Sequence, residues 1–425
     1  MLPVGQLIMI RRQDRAVAYH RPMSKNPDVV IVGGGLVGAS LAIALQRIGV
    51  DCALVEANGA GGMPPVFDQR NLSFAAATLN ALAALGVMDK LCAATGPIRR
   101  IHVSRAGDFG RVTLEAADYD RPWFGQVVVA ADFGRALEAR LEELPGIARH
   151  RPARFVRLGE VIDGRRQVVI ADAAGEQVLS ARLVVGCDGT ASMVRQATGI
   201  ATDEHDYLQT LFVARVRAEK SPDGTAFERF TATGPTALLP RGDRHYGLVH
   251  GVAREQAPLV AALDDAAFLA RAQEAIGWRA GRLLEVGPRS AYPLVRVVAR
   301  ELVAERVVLM GNAAQTIHPI GAQGFNLGLR DALTLAELIE HDRDAIGSAA
   351  QLAAYVARRG PDREQTLGFS DGLARFTGND RPTARGLRSL GLLATSASDS
   401  LKAQLVGGAM GFRGDVPALC RGSVA

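Results

Sequence analysis

The sequence has little of what marks secreted, metal-binding or nucleic-acid-binding chains. Its 425 residues hold only four cysteines, Cys52, Cys92, Cys187 and Cys420, and no two of them form a CxxC pair. That spacing gives neither a disulfide framework nor zinc-ligand spacing, so no metal and a reduced, cytoplasmic setting are expected. Charge of one sign is also scarce: 49 Lys and Arg against 44 Asp and Glu leave +5. The densest basic pairs, at 11–12, 99–100, 165–166 and 358–359, lie far apart, and no nucleic-acid partner is expected. Internal repeats and low-complexity tracts are absent. One uncharged stretch, residues 29–46, reaches the length of a short membrane span, but it contains four glycines and passes from Val/Ile into Ala/Leu. It reads as strand, turn and helix. Residues 1–22 carry four arginines without periodicity, so 1–27 are expected to be a flexible extension rather than a secretory signal, with Met1 and Met23 both open as the start.

What is present is the composition of an ordinary folded protein, 48% hydrophobic and 22% charged, in a chain long enough for a large core. The first unit begins with a strand over 28–32 and continues through Gly33, Gly35 and Gly38 in GxGxxG spacing into a helix ending near Ile48. A second strand over 52–55 is closed by Glu56. These are the parts of a βαβ dinucleotide site. The first glycine permits the tight turn, the second lets a pyrophosphate approach the backbone, and the third lets helix and strand pack closely. The helix start then offers free N–H groups to phosphate, and the acid can accept ribose hydroxyls.

A Gly/Pro stretch at 58–65 leads to Asp68 and Arg70, followed by an Ala/Leu-rich helix ending near Gly86. A strand pair over 101–114 turns at Gly107 and Gly110, and a helix covers 133–144. Short strands at 154–158, 167–170 and 183–185 lead to Asp188 and Gly189, with Ser192 and Arg195 beyond. From 206 to 292 strand-like segments dominate, which suggests a separate sheet domain. A strand over 306–310 runs into Gly311 and Asn312, a glycine-rich turn and a helix over 325–339; the rest is helical.

Taken in order, Gly33 to Gly38, Asp188-Gly189 with Ser192 and Arg195, and the block GNAAQTIHPIGAQGFNLGLRD from Gly311 to Asp331 resemble class A flavoprotein monooxygenases of the p-hydroxybenzoate hydroxylase fold. Within them the chain is similar to the UbiH/Coq6 family of ubiquinone-biosynthesis hydroxylases, most of all its UbiH-like subgroup. The segments AFERFTATGPTALLP and GFSDGLARFTGND extend the likeness, which spans about residues 28–412. The resemblance implies an α/β protein: a Rossmann-type FAD-binding domain (28–99, 125–205 and 293–345), an interleaved β-rich substrate domain (100–124 and 206–292) and C-terminal helices (346–425).

It also implies roles for residues. Gly33, Gly35 and Gly38 would hold the pyrophosphate of FAD, with Glu56 on the ribose and Arg70 near the phosphates; a surface pair with Asp68 is the bland reading of Arg70. Asp188 and Gly189 match a motif tied to FAD and nicotinamide binding. Gly311-Asn312 stands where the family usually has Gly-Asp against the ribityl chain, and Asn keeps hydrogen-bonding capacity without charge. Pro319, Gly324 and Asn326 would approach the flavin ring, while His318 is not assigned as a base and no catalytic residue is named.

The implied activity is hydroxylation of a polyprenylated phenol in ubiquinone synthesis through a flavin C4a-hydroperoxide, with oxygen as co-substrate and NAD(P)H or an electron-transfer protein as reductant. Phe227, Phe230, Leu238 and Pro240 are candidate neighbours of the substrate. A quinone-biosynthesis complex and peripheral contact with the inner face of the membrane, through Arg381, Arg385, Arg388 and Lys402 among leucines, are the implied partners. Another class A flavin monooxygenase, or a non-catalytic FAD-binding subunit of such a complex, are the alternatives.

Overall fold

The computed structural model of the chain describes residues 26–59, 70–378 and 382–422. The N-terminal extension, Asp68 and Arg381 fall outside them, as do the side chains of Arg385 and Arg388.

The apolar run Val29–Val32 is a fully buried strand, paired in parallel with Cys52–Val55 on one side and Leu183–Gly186 on the other. Strands Ile147–His150 and Val307–Leu309 extend this sheet in parallel, and the short Val303–Ala304 folds back antiparallel at its edge. Strands buried on both faces read as continuous Val/Ile/Leu runs, which is why these were legible. Helix Leu36–Arg47, helix Ala130–Glu142 and helix Gln323–His341 supply the layers that enclose the sheet, and the core formed is one large apolar cluster. A three-stranded antiparallel sheet, Arg154–Ile162, Arg165–Asp172 and Gly175–Ala181, stands beside it. The last of these strands carries Glu, Gln and Ser and escaped the apolar pattern.

The second large element is a nine-stranded sheet centred on Thr202–Ala218, a single strand of 17 residues flanked by Ser290–Ala299 and Tyr246–Ala253. Gly234–Pro240 and Thr225–Thr231 continue it, and the hairpin Arg100–Glu115 joins through a parallel pairing of Thr225–Phe230 with Arg100–Arg105. The sheet therefore begins four residues before 206 and runs on to Ala299, past 292. One face is covered by helix Asp265–Ile276, which sits in an interval whose local pattern favoured strands; Phe268, Ala272 and Ile276 bury against Phe212, Leu238 and Leu248. The other face turns toward the first unit. There a β-carbon on Gly247 would stand 2.1 Å from the Asn71 amide, and Arg241 donates to Asn71 Oδ1 at 2.7 Å. Helices Ala349–Gly378, Pro382–Ala397 and Asp399–Ala409 follow, and then the short helix Ala418–Arg421. Among the described residues no helix is long and apolar enough to cross a membrane.

Candidate active site

The glycine turn is shaped by contacts that exclude side chains. Gly33 has φ +104°, and a β-carbon there would lie 2.4 Å from the Cys187 carbonyl oxygen; at Gly38 it would lie 2.0 Å from the carbonyl oxygen of Gly33. Both clashes are with backbone, so strand, turn and helix approach as closely as only glycine allows. Gly35 differs, because nothing in the protein lies within 4 Å of its would-be β-carbon. It is the N-cap of helix Leu36–Arg47, which has no side-chain cap and no acid in its first turn. Open space in front of uncapped N–H groups suits a pyrophosphate. Glu56 is already engaged: Oε2 accepts the Gly34 N–H at 2.8 Å, and Oε1 accepts Asn58 N and Nδ2 at 2.7 and 2.9 Å. It braces the turn as well as marking the end of the second strand.

The Asp188 motif is a self-contained device. Asp188 Oδ2 accepts Met193 N and Val194 N, and Oδ1 accepts the Ser192 hydroxyl at 2.5 Å, so the carboxylate caps the short helix Met193–Ala197. Gly189, at φ +85°, makes the turn that this requires. Buried Arg195 donates to the Ala313 and Thr190 carbonyls at 2.7 and 2.8 Å, and Thr190 meets Thr316 hydroxyl to hydroxyl at 2.7 Å. The Asp188 turn is thereby stitched to the Gly311 turn. Gly311 has φ +59°, and Val37, in the first turn of the glycine-turn helix, would stand 3.1 Å from a β-carbon there and 2.8 Å from one on Gly328. Three separate stretches of sequence thus converge on one point, with Asn312 exposed beside it.

A second uncapped helix start faces the same region. Ala322, left-handed at φ 52°, is the N-cap of Gln323–His341, which has neither a side-chain cap nor a first-turn acid; nothing lies within 4 Å of a β-carbon on Gly324. Pro319 and Gly321 are exposed along this turn. Asn326 is not: its Oδ1 accepts Ala75 N and the Thr78 hydroxyl at 3.1 and 2.7 Å, and its Nδ2 donates to the Ser73 and Ala322 carbonyls at 3.0 and 2.9 Å. All of its side-chain hydrogen-bonding groups are taken, so the side chain is a clamp, and the flavin approach expected of this turn falls to the backbone N–H groups of Gly324 to Asn326. Arg70 lies over the Tyr292 ring at 4.1 Å, on the inward face of the large sheet. His318 is buried, its Nδ1 accepts Ile320 N, and Tyr207 packs edge-on at 4.9 Å. Burial pushes its imidazole down to about 4, so it is neutral at ordinary pH.

Of the expected substrate neighbours, only Phe230 belongs on the inward face. Phe227 and Leu238 pair with each other and pack with Tyr246 against the outer helix, and Pro240 shares that face through its pairing with Tyr246. Alternation of faces along a strand decides this, and sequence alone does not say which face is inward. Sequence reasoning also passed over a buried polar network behind the flavin-side turn. Gln315 donates to Asp331 at 2.9 Å and accepts from Arg363, while Arg359 donates to Asp331 at 2.7 Å and to Asp362 at 2.6 Å. Arg330 completes the Asp362 carboxylate at 2.7 and 3.2 Å. Burial works to raise Asp362, but Arg330 and Arg359 outweigh it and hold the carboxyl below its usual range. Charged residues spaced along helices Gln323–His341 and Ala349–Gly378 were the available signal. Among the described residues there is no cluster that could hold a metal ion.

These two glycine-lined helix starts, joined through Val37 and Gly311, fit an elongated ligand with a negatively charged middle and an electron-rich end, which is the shape of FAD. Comparison with known proteins agrees. The FAD binding domain family matches residues 26–370. A ubiquinone hydroxylase, UbiL, of Rhodospirillum rubrum is 35% identical over 91% of this chain and 90% of its own length. The 3-demethoxyubiquinol 3-hydroxylase of Escherichia coli is 30% identical over 92% of this chain and its whole length. In structure, p-nitrophenol 4-monooxygenase of Pseudomonas putida superposes with a TM-score of 0.74 at 19% identity, over 92% of this chain and 99% of that one.

Proposed function

The chain belongs to the FAD binding domain family and is an FAD-dependent monooxygenase; on that premise we propose that it hydroxylates the ring of a polyprenylated phenol in ubiquinone biosynthesis. The observation that carries the substrate class is the full-length similarity to ubiquinone hydroxylases at 30–35% identity. Bound FAD would supply the redox chemistry, drawing electrons from NAD(P)H and oxygen from O2.

The protein's own residues have four tasks. Gly33, Gly35 and Gly38 leave room for the pyrophosphate against the first helix start, with Glu56 and Arg70 on the flanks. Asp188, Gly189 and Gly311 fix the strand ends that align the cofactor, with Asn312 exposed toward it. Pro319, Gly324 and the backbone of Asn326 present the second helix start to the electron-rich end of the flavin. The inward face of the large sheet walls off water around the substrate ring. We assign 28–99, 125–205 and 293–345 to cofactor binding, 100–124 and 206–292 to substrate, with strand Ser290–Ala299 bridging them, and 346–425 to the helical closure.

A polyprenyl tail must be reached from a lipid surface, and Leu390, Leu393 and Leu401 are exposed on helices Pro382–Ala397 and Asp399–Ala409. We assign this end of the molecule to peripheral contact with the inner face of the membrane or with a quinone-biosynthesis assembly. Liposome flotation that survives deletion of 383–412 would remove the lipid part of the assignment. The function is tested by the absorption spectrum of the purified protein, followed by NAD(P)H oxidation and mass analysis of product from 2-geranylphenol. Bound FAD with hydroxylated product is expected. Bound FAD with no product from this phenol or from soluble phenols would favour the non-catalytic subunit, and product only from soluble phenols would favour another class A hydroxylase.

A further inference from the structure

Glu228 lies in the middle of strand Thr225–Thr231, in the segment AFERFTATGPTALLP, and no task above uses it. Its neighbours Phe227 and Arg229 alternate to the outer side, where Phe227 packs with Leu238 and Tyr246. Glu228 pairs with Ala237 and Val103, Ala237 with Val249, and Val249 with Val213, so it stands on the inward face in a row of apolar residues. This is the face on which Gly247 approaches Asn71 and Tyr292 carries Arg70. Helix Ala349–Gly378 touches both this strand and the turn Ile320–Ala322 on the cofactor side. The side chain is half-buried, and no hydrogen bond or charge partner acts on it among the described residues.

A carboxyl left without a partner amid apolar side chains is unfavourable for folding, and such groups mark sites of chemistry. Burial alone raises it, to about 7. Among the described side chains, the following charged groups on the surrounding elements have partners of their own. On the adjoining hairpin, Arg105 pairs with Asp108; on the helix, Arg359 and Asp362 pair with each other, Arg363 holds Gln315, and Asp371 accepts from Tyr207. Strand Gly234–Pro240 contributes no charge. His318, the other titratable group nearby, is neutral and its Nδ1 is used.

Resting on the phenol-hydroxylase reading, we propose that Glu228 is the base that receives the phenolic proton of the substrate while the ring is hydroxylated. The phenolic O–H bond breaks, its proton passes to the carboxylate, and the electron pair left on oxygen raises the electron density of the ring carbons ortho and para to it. One of these forms the C–O bond to the oxygen that the established reaction delivers. The hydrogen displaced from that carbon becomes the proton of the new hydroxyl, and Glu228 returns its own to the first oxygen. A base titrating near 7 matches a proton transfer at neutral pH.

The test uses FAD-loaded wild type, E228Q and E228D with 2-geranylphenol. E228Q is expected to keep FAD, to lose about 100-fold in kcat with KM raised by no more than about fivefold, and to lose the decline of kcat/KM below about pH 7; E228D recovers part of the rate. Because a half-buried charge without a partner is removed, E228Q should also melt at a higher temperature than wild type at pH 8, which a structural role would not give. If E228Q turns over within twofold of wild type with the same acid limb, the inference is overturned. If wild type gives no product, the functional reading fails and binding decides the matter for Glu228. Flavin-fluorescence titration should show 2-geranylphenol binding about fivefold weaker at pH 6 than at pH 8 in wild type and equally at both in E228Q. The same pH response in both proteins overturns the proposal. Should E228Q not fold, E228D carries the same comparisons, with a displaced carboxylate expected to lower kcat and leave the acid limb in place.

Discussion

Replacing Asn326 by Ala separates a clamp from a cofactor contact. The side chain makes four hydrogen bonds, two accepted from Ala75 N and Thr78 Oγ1 and two donated to Ser73 and Ala322 carbonyls. Truncation leaves those four groups without their partner; Ala75 N and Thr78 Oγ1 are buried and cost about 1 kcal/mol or more each, the half-buried Ser73 and Ala322 carbonyls less. The sum is about 2–4 kcal/mol, a large part of the ~5–15 kcal/mol that holds a domain folded. Urea unfolding of the FAD-free protein should therefore show the loss in full, since it concerns contacts within the chain. N326D is no rescue, because it keeps the two acceptors but turns a carboxylate oxygen toward the Ser73 and Ala322 carbonyls. A loss under about 1 kcal/mol in the FAD-free protein, together with a large fall in FAD affinity, would refute the clamp and point to a flavin contact of the side chain.

The two glycines of the first turn should behave differently. G38A meets backbone at 2.0 Å and should lower both the melting temperature and FAD affinity, whereas G35A meets nothing within 4 Å and should leave the FAD-free melting temperature unchanged while weakening FAD, read by flavin fluorescence. D331N removes the carboxylate that holds fully buried Arg359, and unfolding should detect a loss of about 3–5 kcal/mol. His250 and His318 are both pushed down to about 4 by burial, so the unfolded chain takes up protons near 6.5 before the folded one does. Stability contributed by each is therefore present above about pH 6.5 and falls by up to about 1.4 kcal/mol per pH unit as the pH drops toward 4. Glu228, raised to about 7, acts in the opposite direction, so E228Q should steepen the loss between pH 7 and pH 5 in urea unfolding.

The first sheet was legible because each of its central strands carries its own signal. Val29–Val32 and Cys52–Val55 are apolar throughout and meet buried partners on both faces, and the glycine spacing between them is a local requirement of one turn. Strand Gly175–Ala181 and helix Asp265–Ile276 were missed for the converse reason. The first is polar and gains its identity from pairing with Arg165–Asp172, while the second is defined by the sheet face it covers. In the site, Gly33 and Gly38 make the close backbone approaches that the spacing requires, while the side chains of Asp188 and Asn326 are hydrogen-bonded within the protein itself. A motif records residue type and spacing, and it cannot say whether a side chain points at a ligand or at a neighbouring backbone.

The sequence by itself determined the βαβ turn, the order of the three glycine-containing stretches and, through them, the family. Those depend on backbone conformations and short-range spacing that few residue types allow. The tertiary structure decided what long-range pairing controls: which face of the nine-stranded sheet looks inward, that Val37, Gly311 and Gly328 meet at one point, and that Glu228 stands unpartnered on the wall while Phe227 and Leu238 turn away. A strand carries two faces one residue apart, and only packing against the rest of the chain chooses between them.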